Sequence, residues 1–303
     1  MISEEFTLSK EEYIYLDRIK NSSNFDNLVL SSGGMSGIIM IGCLHYLYSN
    51  NMLSNIKNFV GCSAGAIISL LLLIGYTPFE LNQEIIEIDG EKEFMNIDIQ
   101  NLITNIGLVD NGKLLNIFSS LIEKKLGFIP TLKELYEMTE KTLTISSFNY
   151  STFSLEYINH LNHPNLSCVV AATSSCLVPF LFTPIDINDQ KYIDGGVVEP
   201  FPINYCKKNY TGKTLGVVIL NPPEEDKYSL LNYVMSLIFM TTNIKKNKHY
   251  LKYLNDENTT IIKLTHKNTG MKFTMDKTTK LKLFSFGHKQ IREKINLCSN
   301  KTQ

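Results

Sequence analysis

Phe59-Val60-Gly61-Cys62-Ser63-Ala64-Gly65-Ala66-Ile67-Ile68-Ser69-Leu70-Leu71-Leu72-Leu73-Ile74-Gly75 holds, in order, a β-like pair, a turn of small residues and an apolar run closed by Gly75 and Pro78. This is strand, turn, helix. Because residues 66–74 are apolar on nearly every face, the helix belongs in a core rather than at a surface. The same order stands upstream. Leu28-Val29-Leu30 is β-like, Ser31-Ser32-Gly33-Gly34 stops it, and Ile38, Ile41, Leu44, His45 and Tyr48 recur at helical spacing. Two consecutive β-loop-α units predict an α/β fold with a parallel sheet covered by helices.

Further out the pattern is looser. Residues 1–25 read as a polar helical extension ending in Asn21-Ser22-Ser23-Asn24, and the ordered fold is expected to start after it. Residues 79–140 read as mostly helical, a cap or flank, with turn signals at Asp89-Gly90, Asp110-Asn111-Gly112 and Gly127 to Pro130. Strand character returns at Leu143–Phe148, Ser167–Ala171, Lys191–Ile193 and Leu215–Leu220, the last ended by Pro222-Pro223. Residues 227–254 and Thr278–Leu297 read as helices around a further strand at Ile261–Leu264. The expected organisation is a main domain over 26–225 with a mostly helical part, 226–303, packed on it, and no internal repeat.

The 303 residues carry 29 Lys+Arg against 30 Asp+Glu, a net charge of −1 that supplies no basic field for nucleic acid. Nucleic acid is not an expected partner. With 44% hydrophobic residues the chain can bury a large core, so it is no disordered tail. Cys43, Cys62, Cys168, Cys176, Cys206 and Cys298 form no Cys-x-x-Cys pair, which favours free thiols in a reducing compartment over a zinc site. The start, with Glu4, Glu5, Glu11, Glu12 and Asp17, lacks the basic-then-apolar pattern of a secretory signal, so a cytoplasmic location is expected. The longest apolar run, 66–74, is far short of the roughly 20 residues of a membrane span.

Chemistry concentrates in three places. Gly61-x-Ser63-x-Gly65 at a strand-to-helix junction is the pattern of a nucleophile elbow, because a Cβ at either glycine would crowd so sharp a turn. The junction also sets Ser63 at a helix N-terminus, which favours a developing negative charge. Cys62 is a rival nucleophile, but an elbow presents its middle residue, and Cys62 is expected to be packed and inert. Gly33-Gly34-Met35-Ser36-Gly37 lets backbone N–H groups turn toward one point, as an oxyanion hole requires. It lacks the Lys-[Ser/Thr] ending of a P-loop and is not a full Gly-x-Gly-x-x-Gly, which disfavours a nucleotide.

A serine nucleophile needs a base. Asp194 ends a short strand and precedes Gly195-Gly196; an ordinary Asp-Gly turn is the competing reading. His266 and His288 follow Asp194 in the chain, so the Ser-Asp-His order of an α/β-hydrolase triad stays open. His45 falls on a helix face, His160 and His163 in an Asn-rich loop, and His249 among lysines. No metal-ligand spacing occurs and no cofactor is expected.

Four blocks between Asn27 and Pro202 resemble the patatin-like phospholipase family: Leu30 to Gly37 with its following helix; Gly61 to Ala66; Ala172 to Pro179 with Phe182 and Pro184; and Ile193-Asp194-Gly195-Gly196-Val197 with Pro200 and Pro202. The resemblance implies a three-layer α/β/α lipid acyl hydrolase of phospholipase A, lysophospholipase or esterase type, with a Ser–Asp dyad and no histidine. It implies Ser63 as nucleophile, Asp194 as base, Gly33, Gly34, Met35 and Gly37 as the oxyanion hole, and Gly61, Gly65, Gly195 and Gly196 in support. The implied substrate is a phospholipid or other acyl-ester lipid. Two positions depart from the family pattern: Ser32 stands where the loop usually opens with another glycine, and Ser36 where it usually carries Arg or Lys. They motivate an alternative, a catalytically weak patatin fold that binds lipid. Finally, Leu230 to Met240, followed by Lys245, Lys246 and Lys248, reads as a core helix with a solvated basic end; an interfacial patch making peripheral membrane contact is the competing reading.

Overall fold

The computed structural model describes residues 8–21, 24–90, 99–220, 230–266 and 275–300. Its strands are β1 Asn27–Leu30, β2 Asn58–Cys62, β3 Gly107–Val109, β4 Thr142–Asn149, β5 Ser154–Ile158, β6 Phe180–Phe182, β7 Ile185–Ile187, β8 Gln190–Asp194, β9 Thr214–Leu220 and β10 Thr259–Thr265. The helices are α1 Lys10–Asn21, α2 Gly37–Ser49, α3 Ala64–Leu73, α4 Pro78–Glu87, α5 Ile99–Asn105, α6 Gly112–Leu126, α7 Leu132–Thr139, α8 Cys168–Ser174, α9 Ile203–Asn209, α10 Leu230–Lys252 and α11 Lys277–Asn300. The main sheet runs β10-β9-β1-β2-β4-β8-β7, with β5 also on β4. From β10 to β4 all pairs are parallel; β8, β7 and β5 join antiparallel.

Alternation along the strands makes three layers. Leu28 and Leu30 of β1, with Leu215, Val217 and Ile219 of β9, pack into a core shared with Leu44 of α2, Ile68 of α3 and Phe284 of α11. Val29, Val60, Val218 and Ile261 belong to a separate core with Tyr15 of α1, Ile203 and Cys206 of α9 and Tyr250 of α10. Side chains that alternate with period two must face opposite sides of the sheet, so helices cover both faces. The α/β/α expectation is met. As predicted, α3 lies deep in the core, its residues from Gly65 to Leu71 all buried.

Several local expectations are corrected. The fold does not begin after residue 25: Tyr15, Leu16 and Ile19 of α1 are buried. Glu12 forms a buried ion pair with Lys294 at 2.6 Å, and the Arg18 guanidinium donates to the carbonyls of Leu254, Asp256 and Thr259. All of these partners lie hundreds of residues away, so the helix looks solvated when only its own polar sequence is read. Ser22 and Ser23 of the predicted loop, and Pro222-Pro223, lie outside the described residues. Ser167–Ala171 is not a strand but the start of α8, docked by the Cys168 N–H on the Pro130 carbonyl; its β-branched valines are overruled by that tertiary context. The helical flank contains β3, which pairs with β6 in a second small sheet. The C-terminal part supplies an edge strand, β10, as well as helices.

Candidate active site

Register assembles the site. In β4, Ser146 pairs with Cys62 of β2 and the next residue, Ser147, pairs with Asp194 of β8. Adjacent residues of one strand therefore set the elbow and the aspartate side by side. On the other edge of β2, Gly61 pairs with Leu30, which carries the glycine loop to the same carboxyl end of the parallel strands. The convergence is tight. A Cβ at Gly196 would lie 2.9 Å from Asp194 Oδ1 and 3.5 Å from both Cys62 Sγ and Ser32 Cβ, so only glycine leaves room there.

Ser63 has φ 52° and ψ −124°, a left-handed backbone that a β-carbon disfavours by about 1–3 kcal/mol. The surroundings enforce it. Its N–H donates to Ser175 Oγ at 2.8 Å, and that hydroxyl donates onward to the Ser146 carbonyl at 2.6 Å. A Cβ at Gly61 would run into the Gly65 carbonyl, and one at Gly65 into the Leu30 carbonyl, which is why both flanks of the elbow are glycine. Ser175 is a residue to which the sequence assigned no role; its inclusion in a resembling block was the one available signal.

Asp194 ends β8 only 4% exposed, and Ser63 is 5% exposed. Asp194 Oδ1 accepts the Gly196 N–H at 2.7 Å and lies 3.7 Å from the Cys62 thiol, and the nearby Ser63 hydroxyl lowers the carboxyl's proton affinity. Burial pushes this carboxyl from its ordinary 3.8 up to about 6, against the pull of those donors and of the Lys246 charge. A raised aspartate pKa means that ionised Asp194 costs the fold stability. The penalty is absent below about pH 4, complete above about pH 6, and roughly 3 kcal/mol in size. Cys62 and Cys176 are both buried, and desolvation first, then Asp194, pushes their thiols well above the usual range. Neither is suited to act as a thiolate nucleophile.

The glycine loop is held from several sides. Ser31 Oγ accepts the Ile219 N–H at 3.1 Å, and the Ser32 N–H donates to the Pro200 carbonyl at 2.7 Å. Gly34 sits at φ 52° and opens a single helical turn to Ser36, whose N–H donates to the Gly33 carbonyl at 3.0 Å. Ser36, at the position where the resembled family carries a cation, is buried in this turn. The Gly37 N–H donates to the Gly34 and Met35 carbonyls, so of the four residues expected to donate, Gly37 is committed within the turn. Its lack of a side chain serves close approach instead, since a Cβ there would lie 3.0 Å from that of Ala64.

The histidines are engaged elsewhere. His45 and His288 pack at a tilt against each other, His45 also against Phe284 and His288 edge-on against Tyr46, and His266 packs edge-on against Phe286 of α11. His249 is 3.0 Å from Glu199 and bonds Asn204, and His160 stacks on Tyr136. The groups that lower the proton affinity of Asp194 against its burial are Ser63, Gly196, Cys62 and Lys246. Among the described residues no cluster of His, Cys, Asp or Glu could hold a metal ion.

At the basic end of α10 Lys248 is exposed as expected, but Lys245 and Lys246 turn inward. Lys246 is 5% exposed and donates to the Ser32 carbonyl at 2.8 Å, while Lys245 donates to the Val197 carbonyl at 2.9 Å. Of the apolar half Tyr233, Leu237 and Met240 are exposed, as is Ile244 beyond it. Met235, Thr242, Lys246 and Tyr250 recur at helical spacing on the buried side, and a lysine run reads as solvated until its carbonyl acceptors are known.

A strained serine turn, a buried carboxylate and a glycine loop thus meet at the carboxyl edge of a mostly parallel sheet in an α/β protein. The patatin-like phospholipase pattern matches residues 28–207, and the chain belongs to that family. It is similar to the Probable lipid hydrolase 463L of Invertebrate iridescent virus 6, at 31% identity over 215 residues covering 66% of this chain and 72% of that one. It also matches the Uncharacterized protein R571 of Acanthamoeba polyphaga mimivirus, 26% identical over 91% of this chain and 95% of that protein. In fold it matches ExoU of Pseudomonas aeruginosa in its complex with SpcU, with a TM-score of 0.54 and 18% identity over 90% of this chain and 52% of that one. VipD of Legionella pneumophila gives a TM-score of 0.51 at 14% identity, covering 90% and 67%.

Proposed function

We propose that the protein is a lipid acyl hydrolase that works through a Ser63–Asp194 dyad. The observation that carries this reading is the strained Ser63 held beside a buried carboxylate whose ordinary proton affinity has been raised. In the first step Asp194 takes the Ser63 proton as Oγ attacks the ester carbonyl, and the amides of Gly33, Gly34 and Met35 receive the oxyanion. The tetrahedral intermediate expels the alcohol, which takes the proton from Asp194, and leaves an acyl-Ser63. Water, deprotonated by Asp194, attacks that ester; fatty acid leaves and Ser63 recovers its proton. Family membership and the name of the viral lipid hydrolase support a lipid ester as the substrate class. Labelling with a fluorophosphonate tests the reading: a folded wild-type protein whose Ser63 takes no label would refute it.

The raised carboxyl sets a pH dependence. Asp194 accepts a proton only when ionised, so kcat/KM for a short-chain p-nitrophenyl ester should rise with pH through about 6 and level off above it. At pH 5 the rate is expected to be about tenfold below the plateau. A profile flat from pH 5 to 8 would remove Asp194 from the role of base.

Among the described residues no helix is long and apolar enough to cross a membrane. Access to a lipid substrate then calls for contact from one side, and the exposed row Tyr233, Leu237, Met240 and Ile244 on α10 supports peripheral docking, because steps of four, three and four share one helix face. Each large side chain buried in an interface contributes about 1.5–3 kcal/mol. The double variant Leu237→Asp/Ile244→Asp should therefore float with anionic liposomes at least about tenfold less than wild type, with p-nitrophenyl ester hydrolysis unchanged. Equal flotation would discard this face.

A further inference from the structure

Lys246 is a cation in a place where a cation is costly. Its ammonium is buried, and its hydrogen-bond partner is a neutral backbone oxygen, the Ser32 carbonyl at 2.8 Å. Burial pulls its proton affinity down to about 8, and the charge of Asp194 acts on it through space in the opposite sense. An ammonium removed from water without a carboxylate against it destabilises a fold, so packing does not account for it. Where it bonds does. Ser32 is the residue before the glycine loop, and the peptide that joins it to Gly33 is planar and trans. Its carbonyl and the Gly33 N–H therefore point in opposite directions. Lys246 and the Ser31 hydroxyl, which donates to the same carbonyl at 3.0 Å, together hold the direction of the Gly33 amide, and it is the charged donor of the two that polarises that peptide so that its N–H donates more strongly. The neighbouring Lys245 ties the Val197 carbonyl, just past Asp194, to the same helix at 2.9 Å. One turn of α10 thus grips both loops of the site, from a segment that lies beyond the residues matched by the family pattern.

We infer that Lys246 is a positioning residue of the active site, a cation delivered by α10 that aims the Gly33 amide and places positive charge beside the reacting groups. This rests on the dyad reading. Lys246→Met, which keeps the length and removes the charge, should lower kcat for a p-nitrophenyl ester by about 10²-fold, comparable to loss of an oxyanion donor, with KM within about threefold. Its thermal midpoint should equal or exceed that of wild type, since a buried charge is gone. Lys246→Arg should recover at least about tenfold of the lost kcat, and Lys248→Met, at an exposed neighbour, should behave as wild type. A merely structural lysine would show the reverse: a lower midpoint in Lys246→Met with kcat per folded molecule unchanged, an outcome that overturns the inference while wild-type fluorophosphonate labelling leaves the dyad standing. A wild-type protein that neither labels nor hydrolyses overturns both.

Discussion

Ser63→Ala is expected to lower p-nitrophenyl ester turnover by about 10⁴-fold or more and to abolish fluorophosphonate labelling, with the circular dichroism spectrum of wild type retained. Removing Oγ leaves the strained φ of 52° in place, so the elbow keeps its shape and its Ser175 contact through the backbone N–H. What disappears is the nucleophile alone. Asp194→Asn should be nearly as inactive, because the amide can still accept the Gly196 N–H but cannot take the serine proton. It should also melt higher than wild type above pH 6, where the buried carboxylate otherwise carries its full penalty, and lose that advantage below about pH 4. An active Asp194→Asn protein, with inactivation instead by substitution of His266 or His288, would replace the dyad by a triad. Label retained in Ser63→Ala would point to a different nucleophile.

The largest effect on stability is expected from Gly65→Ala. A Cβ there would collide with the Leu30 carbonyl and approach the Ser31 carbonyl oxygen to 2.7 Å. Leu30 ends β1, which is paired on both sides, to β2 and β9, and cannot retreat without breaking a ladder. Overpacking against an immovable neighbour costs about 3 kcal/mol or more, a large share of a domain's total stability. Gly127→Ala provides the contrast. Nothing lies within 4 Å of a Cβ at Gly127, and only its φ of 81° is unfavourable, so the cost there should be about 1 kcal/mol. Urea unfolding midpoints compare the two directly. Equal midpoints would mean that the elbow does not press against the end of β1.

Much of the site was legible because its parts are local. The elbow needs glycine on both flanks for a reason contained in its own turn, and the apolar run after it declares a buried helix within one window. The strand-turn-helix unit at Leu28 to Tyr48 was readable in the same way, whereas Asp194 read equally as an ordinary Asp-Gly turn and drew its role from the family resemblance alone. Less was legible where local preference and tertiary contact disagree. Val169 and Val170 favour a strand by propensity, yet α8 forms because its start is docked on Pro130. The three-residue strands β3, β6 and β7 carry too short a pattern to stand out, and they exist through their pairings.

From the order of its residues alone, this chain determines a parallel α/β core, a serine on a glycine-flanked turn, a glycine loop before it and an aspartate after it. Period, turn chemistry and residue size act over a few positions, so they are written where they act. Only the tertiary structure decides that Cys62 and Asp194 meet successive residues of β4, that α1 closes the sheet with Tyr15 and Glu12, and that α10 turns its lysine inward and its apolar row outward. Each of these depends on a partner far away in the chain. The same lysine that water would solvate on an isolated helix becomes a buried donor when the Ser32 carbonyl is brought to it.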